Sequence, residues 1–342
     1  MTEHLGFWSR GDRQAVTVAL VLAAGLFLSP LFLLGRDKTP EGSGEWVPGP
    51  EAPVPTIAAK DKGRPIRLLH KDGTVEELSM QDYLWGVVAA EMPASFELEA
   101  LKAQACAART YTVSRQDSGS QKHPDADICT DSACCQAYIS RSDAQARWGL
   151  NAGKYTKKIE EAVAATDGLG ILYQGKPIQA LFFSSAPGKT VDAVAVWGNS
   201  VDYLKSVDSP EGEEVPNYQS QVVLTTEEVR SALLGTYPTA NLSGPPESWF
   251  SGAQLGPGGT VTSILAGGVS LTGGQVRSLF GLRSAAFTVD FDGKNTFTFH
   301  VTGHGHGVGM SQYGANTMAS EGATFGDILT WYYTGVNVDY LW

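Results

Sequence analysis

Glu91 is the residue of this sequence with the clearest potential for acid–base chemistry. It ends an apolar helical pattern that Pro93 interrupts two residues later, and a second helical pattern begins near Ser95. Glu91 is therefore expected at a corner between two helices, partly desolvated but facing a cleft. Desolvation raises the pKa of a carboxyl group, which lets it donate a proton near neutral pH. The alternative is a helix-end glutamate bonded to backbone amides or to Arg109.

Metal-binding residue types are spaced through the loop HPDADICTDSACCQAY, at His123, Cys129 and Cys135. Three such ligands with an open fourth position suit a tetrahedral zinc ion. Disulfide formation is the alternative, because cysteines outside the membrane commonly pair. Cys134 makes the ligand assignment ambiguous, since it adjoins Cys135 and the two could form a strained disulfide. Cys106, among alanines on the second helix, is expected to pack as a small buried residue.

A loop with the sequence SSAPGKT offers hydroxyl groups that suit sugar oxygens. Its hydroxyl-bearing residues are Ser184, Ser185 and Thr190, and the nearby Trp197 or Tyr203 has a ring that can stack on a sugar. The alternative is an ordinary turn between two strands.

Glycine alternates with other residues in the C-terminal stretch TGHGHGVGMSQYG. In an extended segment this alternation places His304, His306 and Val308 on one face and leaves the other face bare. Neighbouring backbone or a ligand is then expected to approach the bare face closely. The two histidines alone suggest a metal tract, but the stretch supplies no carboxylate or thiolate to complete a site.

Four separated stretches, in order, resemble the sporulation stage II protein D family of membrane-anchored lytic transglycosylases. They are EMP with the following EALKAQACAARTY, the cysteine loop, SSAPGKT, and TGHGHGVGMSQYGANTMASEGATFGDILTWYYTG. The resemblance extends from about Arg67 to the C-terminus. It implies that Glu91 is catalytic and that His123, Cys129 and Cys135 bind a structural zinc ion near it. Residues expected to bind sugar are Arg109, Ser184, Ser185, Thr190, Tyr203, His306, Gln312 and Tyr313.

The resemblance implies cleavage of peptidoglycan between N-acetylmuramic acid and N-acetylglucosamine during spore engulfment. Glu91 would protonate the leaving oxygen and then accept the proton of the muramic C6 hydroxyl, which gives a 1,6-anhydro product. The implied partners are glycan strands without stem peptides, a wall amidase and other engulfment membrane proteins. Two positions depart from the family, since relatives often have histidine where this chain has Cys134 and Phe183.

Two other functions remain open from the sequence. Some relatives are described as enhancers of wall amidases, so the protein could bind glycan and recruit an amidase without cutting. A zinc hydrolase would instead use an open coordination position of the metal to activate water.

The pattern of elements predicts an α+β fold, with a mixed helix and antiparallel-strand body over residues 65–342 and a subsidiary lobe at about 217–290. Ser79 and Asp82 are placed like a capping box before the first helix, and Asp72 with Gly73 predicts a hairpin turn. The lobe shows no residues with evident chemistry, so it is interpreted as a scaffold or docking surface.

The N-terminal part of the sequence predicts a membrane anchor. Residues 15–35 form an apolar run long enough to cross a bilayer, after a short tail at 1–14 and before a Pro- and Gly-rich linker at 36–64. Basic residues flank the run on both sides, so only the family resemblance orients it, with the tail inside and the body on the extracytoplasmic side of the cell membrane. The formal net charge of −11 argues against a nucleic-acid partner, because no basic surplus neutralises phosphates.

Overall fold

The structure, a computed structural model, describes residues 59–117 and 123–342. The predicted inside tail, the membrane anchor and most of the linker precede residue 59, so these predictions lie outside the described residues. Among the residues that are described, no helix is both long enough and apolar enough to span a bilayer.

The described part of the chain has an α+β fold, as predicted. Its helices are α1 (Met80–Glu91), α2 (Leu98–Asp117), α3 (Arg141–Trp148), α4 (Ala152–Ala165), α5 (Ala193–Trp197), α6 (Thr226–Thr236), α7 (Gly273–Phe280), α8 (Gln312–Ser320) and α9 (Phe325–Tyr332). Its strands are β1 (Pro65–Leu69), β2 (Val75–Ser79), β3 (Ile128–Cys129), β4 (Leu169–Tyr173), β5 (Lys176–Pro177), β6 (Phe182–Phe183), β7 (Gln219–Thr225), β8 (Phe250–Leu255), β9 (Val261–Ala266), β10 (Val269–Leu271), β11 (Phe287–Phe291), β12 (Thr296–Thr302), β13 (Met310–Ser311) and β14 (Asn337–Tyr340).

The strands form small separate sheets. Their orders are β2-β1-β3, β14-β4-β5, β13-β6, β11-β12-β7 and β10-β9-β8. Most pairs are antiparallel, as predicted, but β1 with β3 and β6 with β13 are parallel. Both parallel pairs join segments that are distant in the sequence, so no hairpin turn signal announces them. The first pair positions the cysteine loop, and the second joins the serine loop to the glycine-rich stretch.

Local sequence determines where α1 begins and ends. Ser79 caps the helix: its hydroxyl accepts a hydrogen bond from the N–H of Asp82 and donates one to the carboxylate of that residue. The helix ends at Glu91, and Pro93 follows it. The helix pair thus turns at the predicted corner, and the carboxyl group lies at the end of a capped, well-packed helix.

Helix α2 is the central element of the body. From Ala100 to Val113 nearly every residue is buried, including Gln104 and Arg109. The many alanines let other elements pack closely on all sides of the helix. These elements include α1, α4, α8, α9 and β4.

A second hydrophobic cluster, called here the lobe, lies in the stretch where the sequence predicts a subsidiary lobe. It contains Val229 and Leu233 of α6, Val276 of α7 and the aromatic residues Phe297 and Phe299 of β12. Because β12 lies in this cluster, the lobe continues beyond residue 290 to the end of that strand. Thr225 and Thr272 each make a complete capping box, which explains why α6 and α7 begin where they do.

The start of the described region is fastened to both the centre and the end of the body. Asp61 is buried and forms an ion pair with Arg109 of α2. The backbone N–H groups of Lys60 and Asp61 each donate to the carboxylate of Asp167 over 2.7 Å. Lys60 Nζ donates to the backbone oxygen of Trp342 over 2.8 Å. This network connects the start of the described region to α2, to Asp167 and to the last residue of the chain.

Candidate active site

A cavity of about 530 Å³, called here the main cavity, lies where all the predicted motifs meet. Its wall includes Glu91, Ser184 and Gln312, together with residues of the cysteine loop, the glycine-rich stretch and the lobe. This volume is typical of ligand sites. Trp197 of α5 also lines the cavity and is 49% exposed, so one side of its ring is available to a ligand.

Glu91 is held by two donors from different parts of the chain. Its Oε1 accepts a hydrogen bond from the backbone N–H of Ala137 over 2.7 Å, and its Oε2 accepts one from Gln312 Nε2 over 3.4 Å. Burial raises the pKa of Glu91 above its ordinary value, and the two hydrogen bonds oppose this rise. The carboxyl is therefore suited both to carry a proton and to be stabilised after losing it.

Gln312 is positioned by a buried polar cluster. It is the first residue of α8, whose N-cap is Ser311. The Ser311 hydroxyl donates to the carboxylate of Glu211, which also accepts hydrogen bonds from the N–H of Ala186 and the hydroxyl of Ser209. Glu211 thereby ties the serine loop to the N-terminus of α8, which in turn directs Gln312 to the carboxyl of Glu91.

The glycine-rich stretch is not the simple extended segment that its alternation suggested. Its four glycines all have left-handed φ values between +78° and +118°. A Cβ at Gly305 would lie 2.7 Å from the Cβ of Phe183, and one at Gly309 would lie 2.1 Å from the oxygen of Leu181. The close approach that was predicted is therefore made by the serine-loop segment, and the glycines are required by both conformation and space.

His306 lines the main cavity, but both of its ring nitrogens are occupied by backbone groups. Nε2 donates to the oxygen of Phe182 over 3.1 Å, and Nδ1 accepts from the N–H of Val308 over 3.2 Å. Burial lowers the pKa of His306 to about 4, so the ring is neutral at physiological pH. Only its ring face is available to a ligand, and a metal-binding role for the histidine pair is excluded at this residue.

The cysteine loop forms a compact cluster of four metal-ligand side chains: His123, Cys129, Cys134 and Cys135, whose ligand atoms all lie within 4.8 Å of one another. Cys134 Sγ is 3.8 Å from Cys135 Sγ, and His123 Nε2 is 3.4 and 3.6 Å from these sulfurs. Usual zinc–ligand bond lengths give tetrahedral edges of about 3.8 Å between sulfurs and about 3.6 Å between nitrogen and sulfur. The distances between the donor atoms thus fit a tetrahedral site for an ion of the size of Zn²⁺.

This cluster changes the predicted ligand set. The sequence suggested three ligands and an open position, whereas Cys134 brings a fourth donor to the group. The distance between the sulfurs of Cys134 and Cys135 also far exceeds the disulfide bond length of about 2.05 Å, so the vicinal disulfide is not formed. A Cys₃His set is typical of closed structural sites, which bind no substrate at the metal.

The cysteine loop is fixed to α1, which carries Glu91, and to the neighbouring helix α2. Gln136 Nε2 donates to the hydroxyls of Tyr83 on α1 and Thr112 on α2, over 3.1 and 3.0 Å. The next residue is Ala137, whose N–H binds Glu91. A candidate metal ligand, a buried residue that fixes the loop, and a hydrogen-bond donor to Glu91 therefore follow one another at residues 135–137.

The structure separates the residues that were predicted to bind sugar. Ser184, His306 and Gln312 line the main cavity, whereas Ser185 and Tyr313 are not among its lining residues. Ser185 pairs through its backbone with His304, and the ring of Tyr313 packs edge-on against Phe96. The hydroxyl of Ser184 has no partner among the described residues, which leaves it available to a ligand.

Three of the predicted sugar-binding residues have structural roles. Arg109 is fully buried and donates to Asp61 and to the oxygen of Leu169, so it cannot contact a ligand. Thr190 is buried and bonded to the backbone around Val207. The hydroxyl of Tyr203 accepts the N–H of residue 179, and its ring packs on another tyrosine outside the cavity. Burial contradicts the sugar-binding prediction for Arg109 and Thr190, whereas for the half-buried Tyr203 it stays a prediction.

Sequence reasoning missed two residues that shape the site. Glu211 lies in an acidic loop without periodicity, and Arg277 lies in the lobe, where no chemistry was expected. Neither has a local motif. The weak signal for Glu211 was its proximity to the serine loop, and for Arg277 there was none.

Comparison with known proteins agrees with the early resemblance. The SpoIID family model, described as stage II sporulation protein, matches residues 70–173. The chain is similar to stage II sporulation protein D of Bacillus subtilis (strain 168), with 36% identity over 337 residues, which cover 95% of each chain. It is also similar to stage II sporulation protein D of Bacillus amyloliquefaciens, with 40% identity over 266 residues, 78% of this chain and 75% of that one.

A more distant relative carries a different name. The amidase enhancer of Bacillus subtilis (strain 168) is 28% identical over 307 residues, which cover 75% of this chain and 40% of that protein. Taken with the longer matches, these similarities show that the chain belongs to the stage II sporulation protein D family.

Proposed function

We propose that the protein is a lytic transglycosylase that cleaves peptidoglycan between N-acetylmuramic acid and N-acetylglucosamine. The observation that carries this proposal is that Glu91, with its raised pKa, is the only carboxylate among the described residues that line the main cavity. Most glycosidases need a second carboxylate, to activate water or to attack the sugar. A site with one carboxyl suits a reaction in which the nucleophile belongs to the substrate.

The reaction follows from the two states of that carboxyl. Protonated Glu91 gives its proton to the glycosidic oxygen as the bond from that oxygen to the anomeric carbon breaks. The C6 hydroxyl of the muramic sugar then attacks the anomeric carbon, and the Glu91 carboxylate takes the hydroxyl proton. The product carries a 1,6-anhydro ring and the carboxyl is again protonated. Between the two steps, the N–H of Ala137 and the amide of Gln312 stabilise the carboxylate.

The metal of this protein is proposed to be Zn²⁺, held by His123, Cys129, Cys134 and Cys135. In this role zinc would cross-link the cysteine loop. It would not activate water, because four protein ligands complete a tetrahedral shell and leave no position for a water molecule. The loop then holds Ala137 against Glu91. The closed ligand set argues against the zinc hydrolase that the sequence left open.

The cellular setting is proposed from the sequence and the family. The apolar run at 15–35 would anchor the protein in the cell membrane, with the body on the extracytoplasmic side. Family membership supports a role in spore formation, and the proposed setting is engulfment, on glycan strands without stem peptides. A wall amidase that strips those peptides, and other engulfment membrane proteins, are the proposed partners.

A non-catalytic function is the second candidate. One relative is named an amidase enhancer, and Phe183 places an apolar ring in the cavity wall where a histidine would offer a proton. The protein would then hold denuded glycan and recruit an amidase.

Product analysis by mass spectrometry separates these functions. The full chain is incubated with purified glycan strands that lack stem peptides. Strands that end in 1,6-anhydro-muramic acid support the proposal. Reducing ends would indicate hydrolysis by water, and intact strands that still bind the protein would support the enhancer function.

A further inference from the structure

The subsidiary lobe contributes one side chain to the main cavity, and this side chain is charged. Arg277 lies on α7, whose N-terminal turn is fixed by the capping box of Thr272 and Gln275. Its side chain lines the main cavity with Glu91 and also, with His306, a second cavity of about 50 Å³ between the lobe and the body. The lobe is therefore part of the site and not only a scaffold beside it.

One nitrogen of the Arg277 guanidinium is used to fix its position. Nε donates to the backbone oxygens of Leu282 and Arg283, over 3.3 and 3.2 Å. Among the described residues, the two terminal nitrogens have no hydrogen-bond partner and no carboxylate within 4.0 Å. The side chain is thus directed by the lobe, while the two nitrogens that form its fork remain available.

Arg277 is also the only permanent cation among the described residues that line the main cavity. Burial lowers the pKa of His304 and of His306; the positive charges of Arg283 and Arg277 lower that of His304 further, and Arg277 lowers that of His306. Both histidines are therefore neutral at physiological pH, and Arg283 Nη2 is 3.2 Å from His304 Nδ1. Burial also lowers the pKa of Arg277, but a guanidinium stays charged across the physiological range.

A partly buried cation without a charged partner is costly because it has lost part of its hydration, and an anion that binds to it offsets this cost. Carboxylates and phosphates are the anions that fit the planar fork of arginine, because two parallel hydrogen bonds form at once. Among the groups of a peptidoglycan strand, the lactyl substituent of muramic acid is such an anion. It is charged only when no stem peptide is attached, since the peptide converts it to an amide.

We propose that Arg277 is a substrate-binding residue that recognises the free lactyl carboxylate of a muramic sugar in the main cavity. This inference rests on the proposed function, because it assumes a muramic glycan beside Glu91. It assigns the lobe the role of distinguishing glycan without stem peptides from glycan that still carries them. The lobe then controls which strands the active site accepts.

The test measures binding without cleavage. Full-length Glu91→Gln protein in detergent is titrated with short glycan strands that carry either a free lactyl carboxylate or its methylamide. The free acid is expected to bind about 10- to 100-fold more tightly, as for a charge-assisted bidentate pair. With Arg277→Met added, the two ligands should bind equally well, and both about as weakly as the amide binds the parent. Arg147→Met, which removes an exposed arginine outside the cavity, is the matched control and should keep the preference.

Two outcomes would overturn the proposal. Equal affinity of the parent protein for the acid and the amide does so whether or not the Arg277 variant folds. A preference that persists in a folded Arg277→Met protein, judged by its unchanged melting temperature, also does so. Arg277→Lys keeps the charge without the fork and should recover only part of the preference. If wild-type protein gives no anhydro product but the preference holds, the proposed reaction fails and the carboxylate site stands.

Discussion

The backbone nitrogen of Ala137 lies 2.7 Å from Glu91 Oε1, and it is only two residues from Cys135, a candidate metal ligand. The cluster of His123 and the three cysteines is thus joined to the proposed catalytic carboxyl by a single short segment of backbone. Because Gln136 between them is bonded to both helices of the corner, the segment has little freedom. Loss of the metal should therefore weaken the hydrogen bond from Ala137 to Glu91, although the metal and the carboxyl group are not in direct contact.

Replacement of Glu91 by Gln should lower the yield of anhydro product by about 100- to 10,000-fold, because an amide cannot give and retake the proton. Binding of glycan strands should remain, since the amide has nearly the same shape. Product yield by mass spectrometry and binding by calorimetry are the two measurements. Glu97→Gln changes an exposed carboxyl in the adjacent turn and is the control, which should act like wild type. Equal yields from both variants would remove Glu91 from the mechanism.

The pH dependence of cleavage should report the buried carboxyl. Its pKa is raised by burial, so the protonated form persists above the ordinary glutamate pKa of about 4.3, and the rate falls only at higher pH. Gln312→Leu removes a donor that favours the carboxylate, and the pKa should then rise further. The alkaline limb of kcat/KM should therefore move to higher pH in that variant. A limb that moves to lower pH, or the same movement in the exposed control Gln145→Leu, would contradict this assignment.

Metal content distinguishes a four-ligand site from a three-ligand site. Elemental analysis should find about one zinc ion per chain, as expected for one tetrahedral site. Cys134→Ser should lose most of this zinc, as should Cys129→Ser, because each removes one of the four donors. Cys106→Ala is the control: its thiol is buried in α2 outside the cluster, so its zinc content should be unchanged. Full zinc retention in Cys134→Ser would restore the three-ligand set.

Chelation provides a functional test of the link to Glu91. Removal of zinc should lower cleavage while the body stays folded, because the segment that carries Ala137 loosens and the carboxyl loses a donor. The alkaline limb of the remaining activity should move to higher pH, in the same direction as in Gln312→Leu. Readdition of zinc should reverse both changes. Full activity in metal-free protein would show that the loop holds its shape without the metal.

Gly305→Ala should destabilise the protein by about 1–3 kcal/mol or more, because φ at this position is +118° and the added methyl meets Phe183. Urea unfolding measures the change. Gly153→Ala, in α4, has free space around the added carbon and should leave the stability unchanged or slightly higher. Similar stabilities of the two variants would mean that the serine-loop segment moves enough to accommodate the added methyl group at little cost.

The sequence predicted features whose causes are local. Ser79 and the Asp72–Gly73 turn act within a few residues, so their patterns predicted α1 and the β1–β2 hairpin. Glu91 was also found, because a proline and two helical patterns define its corner. The position of the carboxyl in a cavity required the fold.

Features that depend on distant partners were not predictable in the same way. The sequence suggests Glu91 or a sugar as the partner of Arg109, whereas its partner in the structure, Asp61, lies 48 residues earlier in a segment without a motif. Arg277 belongs to a lobe with its own core, and only the packing of that lobe brings it to the main cavity. The left-handed glycines were visible as spacing, but spacing alone does not distinguish an extended strand from a run of tight bends.

The attachment of Lys60 and Asp61 to the end of the chain and to α2 has a mechanical consequence. A pulling force that reaches residue 59 from the preceding chain acts first on the ion pair between Asp61 and Arg109. It also acts on the hydrogen bonds from two backbone N–H groups to Asp167. The β1–β2 hairpin, whose strands would separate one after the other under load, follows these contacts in the chain. A pulling force on the N-terminal side of the body is therefore transmitted to α2, its innermost helix, before it reaches the hairpin.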